Sequence, residues 1–357
     1  MTSHDDFAAR IRNASAPLRI RGGGTKDWYG QALSGEILDT RGYSGVVSYE
    51  PTELVITARC GTPLAEIEAL LAQHNQMLAF EPPRHEGSTI GGVVASALSG
   101  PRRASAGAVR DFVLGAVLMD GRGEVLRFGG QVMKNVAGYD VSRLLAGSLG
   151  TLGLILEVSL KVLPLPLREA SLRFEMSEID ALRRLNEWAG QPLPISASCW
   201  HRGVLSLRLS GADAAVEAAQ RKLGGQVLDG ADAFWSSLRD QTHPYFKAAS
   251  LWRMSVPSHA SAIVLRGEQL IEWGGAQRWL AIDADEATGS DAGGCVEERA
   301  GIIRRSVAAA GGHSTLFRCA DKRVGVFHPL APAMAKIHER LKQSFDPAGI
   351  FNPGRMY

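Results

Sequence analysis

The sequence predicts an α+β protein of two domains, and three observations carry that reading. Its 357 residues amount to about two domains at roughly 150 residues each. The first half is dense in glycine yet rich in Val, Leu and Ala, so it is structured, with backbone laid close to something. Past Pro166 the order strand, helix, strand, strand, helix, strand occurs twice, and two such split βαβ halves join into one antiparallel sheet with helices on one face.

The elements follow in chain order. Leu18 to Arg21, Gly45 to Tyr49 and Leu54 to Arg59 are expected as short strands. Thr62 as N-cap and Pro63 at the first position open a helix with Leu64, Ile67 and Leu71 on one face. Val113 to Met119 and Glu124 to Phe128 make a hairpin across Asp120-Gly121-Arg122-Gly123. Leu154, Leu156, Val158, Leu160 and Val162 alternate with Glu157, Ser159 and Lys161, which predicts a half-buried edge strand that Pro164 and Pro166 end. The first domain is therefore placed at residues 1–165 and a cap domain at 166–330. Residues 331–357, a helix (Ala333 to Phe345) and a tail, return to the first domain.

In the cap, the first pass runs through Ser171 to Phe174, a helix Ser177 to Ala189 with Ile179, Leu182, Leu185 and Trp188 on one face, Ile195 to Trp200, Val204 to Leu209, a helix Ala212 to Leu223, and Gln226 to Leu228. The second runs through Leu251 to Val256, a short helix after Ser258, Gln269 to Trp273, Arg278 to Ile282, a helix Val296 to Ala310, and Ser314 to Arg318. Asp283 to Gly294 reads as a mobile loop.

Composition narrows the function. With 45% hydrophobic residues, 21% charged and a net charge of +2, the chain is globular, and broad electrostatic binding to nucleic acid is excluded. The longest uncharged stretches, Gly87 to Pro101 and Leu144 to Leu156, fall short of the roughly 20 apolar residues of a membrane span. An acidic start, Met1-Thr2-Ser3-His4-Asp5-Asp6, with no apolar run after it, points to a cytoplasmic protein. Cys60, Cys199, Cys295 and Cys319 never form C-x-x-C, so they read as reduced thiols rather than a zinc or iron–sulfur site.

Between Gly87 and Gly153, 14 of 67 residues are glycine, far above the average of about 7%. Arg21-Gly22-Gly23-Gly24-Thr25-Lys26 follows a strand, so its main chain can turn sharply and aim consecutive N–H groups at an anion such as phosphate. Alone, such a run is more often an ordinary turn. A P-loop needs a Gly-Lys dipeptide, which does not occur, and no G-x-G-x-x-G joins strand to helix as a Rossmann site requires. Ser88-Thr89-Ile90-Gly91-Gly92 opens a second small-residue segment that presents hydroxyls and N–H groups. A third begins at Gly138-Tyr139-Asp140 and runs through Gly147-Ser148-Leu149-Gly150-Thr151-Leu152-Gly153. Three such loops in one domain imply a long ligand cradled along its length.

With these motifs in this order, the chain resembles the FAD-binding PCMH-type oxidoreductases of the vanillyl-alcohol oxidase superfamily. The likeness spans about residues 15–165 and returns at 346–355. Within the family it is most similar to the FAD-binding subunits of bacterial glycolate oxidase complexes, on the Lys134-Asn135-Val136-Ala137-Gly138-Tyr139-Asp140 run, the His313 to Arg318 strand and the ending Phe351-Asn352-Pro353-Gly354-Arg355-Met356. The resemblance implies two α+β subdomains holding FAD, followed by an oxidase-like cap with an antiparallel sheet. It implies a cofactor site made by Arg21, Gly22, Gly23, Gly24, Thr25, Lys26, Ser88, Thr89, Ile90, Gly91, Gly92, Gly107, Asp140, Gly150, Gly153, Ile155 and Asn352. It also implies a sister FAD-containing catalytic subunit, an iron–sulfur subunit, a small 2-hydroxy acid substrate, and contact with the inner membrane only peripherally, through the complex.

Departures from the family pattern limit what carries over. Relatives with covalent FAD often have a histidine after the glycine run, where this chain has Thr25, so a dissociable FAD is expected. Relatives that oxidise D-2-hydroxy acids resemble one another in a His-x-Gly-Asp-Gly-Asn-x-His motif that holds a metal. Gly312-His313-Ser314-Thr315-Leu316 stands there instead, so no metal site is expected. Leu149 replaces the glutamate of a Gly-Ser-Glu-Gly loop. For a catalytic base beside the flavin, His313 and His328 are the best placed histidines, although a histidine beside glycine or proline is commonly a loop residue. Arg318 and Arg323 are candidate clamps for a substrate carboxylate, with a solvated or ion-paired arginine as the plainer reading. Trp273 and Trp279 are expected to pack the cap sheet. The favoured reading is an FAD-binding subunit that supports oxidation of glycolate to glyoxylate within a complex. A self-sufficient flavin dehydrogenase and a redox-inactive structural subunit are the alternatives.

Overall fold

Alternating apolar residues build two separate antiparallel sheets, each inside its own unit. The structure, a computed structural model, describes residues 3–130, 140–282 and 296–356. The run 134–139, the expected loop at 283–294 and Cys295 lie outside them. One unit comprises Met1–Ser99, Gly107–Leu165 and Pro329–Tyr357; the other comprises Gly100–Ala106 and Pro166–His328.

In the first unit β1 (Leu18–Arg21) pairs in parallel with β2 (Glu36–Asp39). Five strands form the main sheet: β3 (Val46–Glu50), β4 (Val55–Arg59), β6 (Val113–Met119), β7 (Val125–Gly129) and β8 (Leu154–Lys161), in the order β3-β4-β8-β6-β7. A two-residue pair, β5 (Gln76–Met77) with β9 (Leu163–Pro164), lies beside it in sequence. Strand β8, expected half-buried at an edge, is central, between β4 and β6. Both its faces are covered, and the buried Ser159 hydroxyl meets that of Thr57 at 2.8 Å, so a polar alternate position survives inside.

The helix Leu64–Ala72 buries Leu64, Ile67 and Leu71 as expected, but its N-cap is Pro63. The Thr62 hydroxyl is used elsewhere, accepting from Gly45 N–H at 2.9 Å and donating to the Arg59 carbonyl at 2.7 Å. The helix Ile90–Ser96 starts at Thr89, whose hydroxyl caps Gly92 N–H. Near the C-terminus the helix Pro332–Phe345 leads into a tail that lies along β1, with Leu18 N–H donating to Ile350 and Asn352 N–H to Leu18.

The second unit is an eight-stranded antiparallel sheet. Its strands are β10 (Arg168–Glu175), β11 (Ile195–His201), β12 (Val204–Gly211), β13 (Gln226–Val227), β14 (Ser250–Ser255), β15 (Glu268–Glu272), β16 (Gln277–Ile282) and β17 (His313–Arg318), in the order β13-β10-β12-β11-β15-β16-β14-β17. On one face, Leu172, Leu205, Leu207 and Leu209 pack with residues of the helices Glu178–Ala189 and Asp213–Leu223. Further along, Trp252, Met254, Leu280 and Leu316 pack with Ala300, Ile303 and Val307 of the helix Val296–Ala309. The opposite face is not free of helices. An unforeseen helix, Ala231–Arg239, seats Trp235 there, its indole N–H donating to Ser171 at 2.8 Å and its ring under the Arg208 guanidinium.

Three smaller expectations change. Ile179 is 70% exposed, so the buried face of its helix is Ala181, Leu182 and Leu185. No helix forms between Ser255 and Glu268. The two tryptophans divide their work: Trp279 stacks edge-on with Phe317 and Phe246 in the sheet, whereas the Trp273 indole donates to the Gly100 carbonyl, with Arg103 over its ring.

Candidate functional site

Strand β1 delivers its last residue, Arg21, to the edge of a groove in the first unit, and Gly22 to Gly24 then turn the chain. A Cβ at Gly23 would run into the carbonyl of Gly87, far inside any real contact, and Gly24 sits at φ +71°, a region that L side chains resist. Loop 21–27 thus lies directly on loop 87–92. Thr25 and Ser88 hydroxyls are 3.0 Å apart, and the Lys26 ammonium is 3.3 Å from each. Asp27 does not serve Lys26, because its carboxylate is taken by Arg19 and by Arg21. Burial alone lowers the Lys26 pKa to about 8, the direction expected for an ammonium removed from water without a counter-ion.

Two contiguous cavities form the groove. The polar one is lined by Arg21, Gly22, Gly23, Gly24, Thr25, Lys26, Asp27, Ser96 and Arg355 among others. The more apolar one is lined by Thr40, Cys60, Gly91, Gly150, Gly153, Leu154 and Ile155. They share Ile20, Gly22, Gly92, Ala95, Leu149 and Asn352. Asn352 ties three segments together, its amide donating to Leu149 O at 2.6 Å and its carbonyl accepting from Ile20 N–H at 3.1 Å. Arg355 is buried and donates to the carbonyls of Gln31, Lys26 and Asp27. Burial lowers its pKa to about 10.

Most residues of the expected cofactor set meet in this groove. Arg21, Gly22, Gly23, Gly24, Thr25, Lys26, Thr89, Gly92 and Asn352 line its polar end, and Gly91, Gly150, Gly153 and Ile155 its apolar end. Ser88 joins through its hydroxyl. Ile90 is fully buried in its helix. A Cβ at Gly107 would meet Asp111 and Phe112, and the exposed Asp140 pairs with Arg143 at 2.9 Å; neither Gly107 nor Asp140 lines the groove. Sequence reasoning missed Thr40, Cys60, Leu149, Ser96 and Arg355. Arg355 had a signal, since it closes the Phe351 to Arg355 motif. Cys60 had none: burial pushes its thiol up to about 12, as for any inert core cysteine.

In the second unit His313 opens β17, with its pKa lowered by burial and then by Arg253 and His328. His328 accepts from Ser314 N–H through Nδ1, and burial followed by Arg304 lowers its pKa too. Arg318 is engaged structurally, donating to the Phe246 carbonyl at 3.0 Å and to Gln241 at 3.2 Å. Arg323 pairs with Asp321 at the surface. Among the described residues no three His, Cys, Asp or Glu side chains are grouped to hold a metal ion.

Residues 1–129 match the family described as "FAD binding domain". The chain is 49% identical over 343 residues to glycolate oxidase subunit GlcE of Escherichia coli (strain K12), covering 96% of this chain and 93% of that protein. The chain belongs to the GlcE family of FAD-binding oxidoreductases. A second relative, glycolate oxidase subunit GlcD of Bacillus subtilis (strain 168), is 30% identical over 167 residues, 46% of this chain and 36% of that one. Among solved structures, alkyldihydroxyacetonephosphate synthase matches with a TM-score of 0.66 at 14% identity, over 98% of this chain and 74% of that one, which shows the fold. FAD is therefore the cofactor of this GlcE-family fold, and the groove fits it. A half-buried ammonium that has no carboxylate partner among the described residues, beside a loop too crowded for any Cβ, suits an anionic diphosphate, and the apolar end suits a flat ring.

Proposed function

We propose that the chain is the FAD-binding subunit of a multi-subunit glycolate (2-hydroxy acid) oxidase and supports oxidation of glycolate to glyoxylate. The observation that carries this reading is its end-to-end similarity to GlcE. Bound FAD supplies the two-electron acceptor for an alcohol and a path for electrons onward. This chain's residues do the holding: Lys26, Thr25, Ser88 and the N–H groups of Gly22 to Gly24 take the diphosphate, while Ile155 and Leu154 exclude water from a ring. Asn352 and Arg355 fix the loops.

In this reading Gly107 and Asp140 act on FAD only indirectly, residues 1–165 with 331–357 form the FAD domain, and residues 166–330 form a cap without a catalytic metal. His313 and His328, held toward the neutral form, are the expected bases of that cap. A sister FAD-containing subunit carries substrate oxidation and an iron–sulfur subunit takes the electrons, in the cytoplasm and peripheral to the inner membrane. No helix of the described residues is long and apolar enough to cross a membrane.

FAD is held without a covalent bond, since Thr25 stands after the glycine run and its hydroxyl is already bonded to Ser88. The visible spectrum of the purified chain tests the reading. Flavin bands should be present, acid precipitation should release them into the supernatant, and glycolate or D-lactate should leave them unbleached in the chain alone. Rapid bleaching by either acid would instead mark a self-sufficient dehydrogenase, and a colourless chain that takes up no added FAD a structural subunit.

A further inference from the structure

Lys26 holds a charge that its own surroundings do not balance. Its ammonium contacts two hydroxyls, those of Thr25 and Ser88, and among the described residues no carboxylate pairs with it. The charged neighbours are accounted for. Asp27 is shared by Arg19 and Arg21, and Arg355 spends its guanidinium on carbonyls, one of them that of Lys26. The loop that carries Ser88 adds His85 and the exposed Glu86.

Hydroxyls accept hydrogen bonds but carry no net charge, so partial burial here shifts the balance toward the free amine. An anion brought against Nζ reverses the preference, because an opposite charge within about 4–6 Å stabilises the protonated form. We infer that Lys26 couples FAD binding to proton uptake in alkaline solution: there the cofactor-free protein holds the amine, and the cofactor's diphosphate restores the ammonium. The inference rests on the groove being the FAD site. The step balances simply, since one proton moves from solvent to Nζ as the diphosphate anion docks, and no other bond is made or broken.

The sign follows from the direction of the shift. In the cofactor-free protein the Lys26 pKa falls from 10.5 to about 8. Below pH 8 the site is already protonated, so FAD affinity should be insensitive to pH through this group. Above pH 8 binding must recruit the proton, and affinity should fall by up to about tenfold per pH unit. The cofactor-free fold bears the cost of the buried charge in full below pH 8 and is relieved of it as pH rises toward 10.5.

Calorimetric titration of the cofactor-free full-length chain with FAD, in two buffers of different ionisation enthalpy, reads the proton directly. About one proton should be taken up per FAD at pH 9 and about none at pH 6.5. Lys26→Met should bind FAD about 10- to 100-fold more weakly at pH 6.5, take up no proton at pH 9, and melt at a higher temperature than the wild type when cofactor-free. Lys26→Arg keeps the charge but does not titrate here, so it should bind at pH 9 without the uptake. FAD binding with no proton uptake at pH 9, or the same uptake in Lys26→Arg, would overturn the inference. A wild-type chain that binds no FAD at either pH would refute the groove assignment itself.

Discussion

Replacing Gly23 with valine should abolish FAD retention. The reason lies in the protein rather than in the ligand. A Cβ there meets the Gly87 carbonyl, so any side chain forces loop 21–27 off loop 87–92 and separates Thr25 and Lys26 from Ser88. Overpacking of this kind costs about 1–3 kcal/mol, which a 357-residue fold survives, so Gly23→Val should remain folded by circular dichroism while flavin per chain drops at least tenfold. Unchanged flavin content would mean that the diphosphate sits elsewhere. At this scale the sequence was readable wherever residue type alone dictates chemistry, as in Gly22 to Gly24, Thr25 and Lys26. It was silent on Cys60 and Thr40, which reach the groove only because β4 and the loop after β2 happen to end there. Leu149 shows the opposite case: a leucine at φ +50° is strained, and nothing in its type announces that.

The C-terminal segment is held by a small buried network. The Lys342 ammonium donates to the Asp346 carboxylate and to the carbonyls of Thr151 and Phe351, while Asp346 also accepts from the N–H groups of Ile350 and Phe351. Through it the tail stays beside β1 and Asn352 reaches the groove. Breaking one side of a buried ion pair costs about 3–5 kcal/mol, because the other charge is stranded. Asp346→Ala should therefore lower the urea midpoint by that equivalent and lose FAD together with it, and limited proteolysis should now cut the tail. A variant with wild-type stability would show that the tail is anchored by Phe351 packing alone. Element-level expectations failed where the answer depended on distant partners. The position of β8 at the centre of its sheet is decided by Val55–Arg59 and Val113–Met119, about 100 and 40 residues away in sequence, and alternation cannot see them. The helix Ala231–Arg239 follows Gly230 at φ +65° without a side-chain cap, so no start signal marked it, although Trp235 and Leu238 at a spacing of three did carry the helical period.

For the whole chain, cofactor and substrate machinery are unequal. The groove assembles thirteen of the seventeen residues expected around FAD along its walls. In the second unit the residues expected to act on substrate are otherwise engaged: Arg318 is bound to Phe246 and Gln241, Arg323 to Asp321, and the described residues group no metal ligands. Of the expected catalytic groups His313 and His328 remain, and their pKa values lie below the ordinary histidine value. They are neutral at pH 7, able to accept a proton, but weak bases. General-base assistance is worth about 10² to 10⁴ in rate and metal polarisation several kcal/mol. A chain that has only the weaker form of the first, and the second not at all if the expectation of no metal holds, should turn over glycolate or D-lactate far below an ordinary enzyme rate of about 1 to 10³ per second. Dye-coupled assay of the FAD-loaded chain alone, and again after co-expression with the proposed flavin and iron–sulfur subunits, measures this. Rates should rise by at least a hundredfold in the complex. His313→Gln and His328→Gln should leave the complex's rate within about threefold, because the chemistry then belongs to the sister subunit. If the lone chain reaches ordinary rates and either histidine variant removes them, catalysis resides here and the supporting role is wrong.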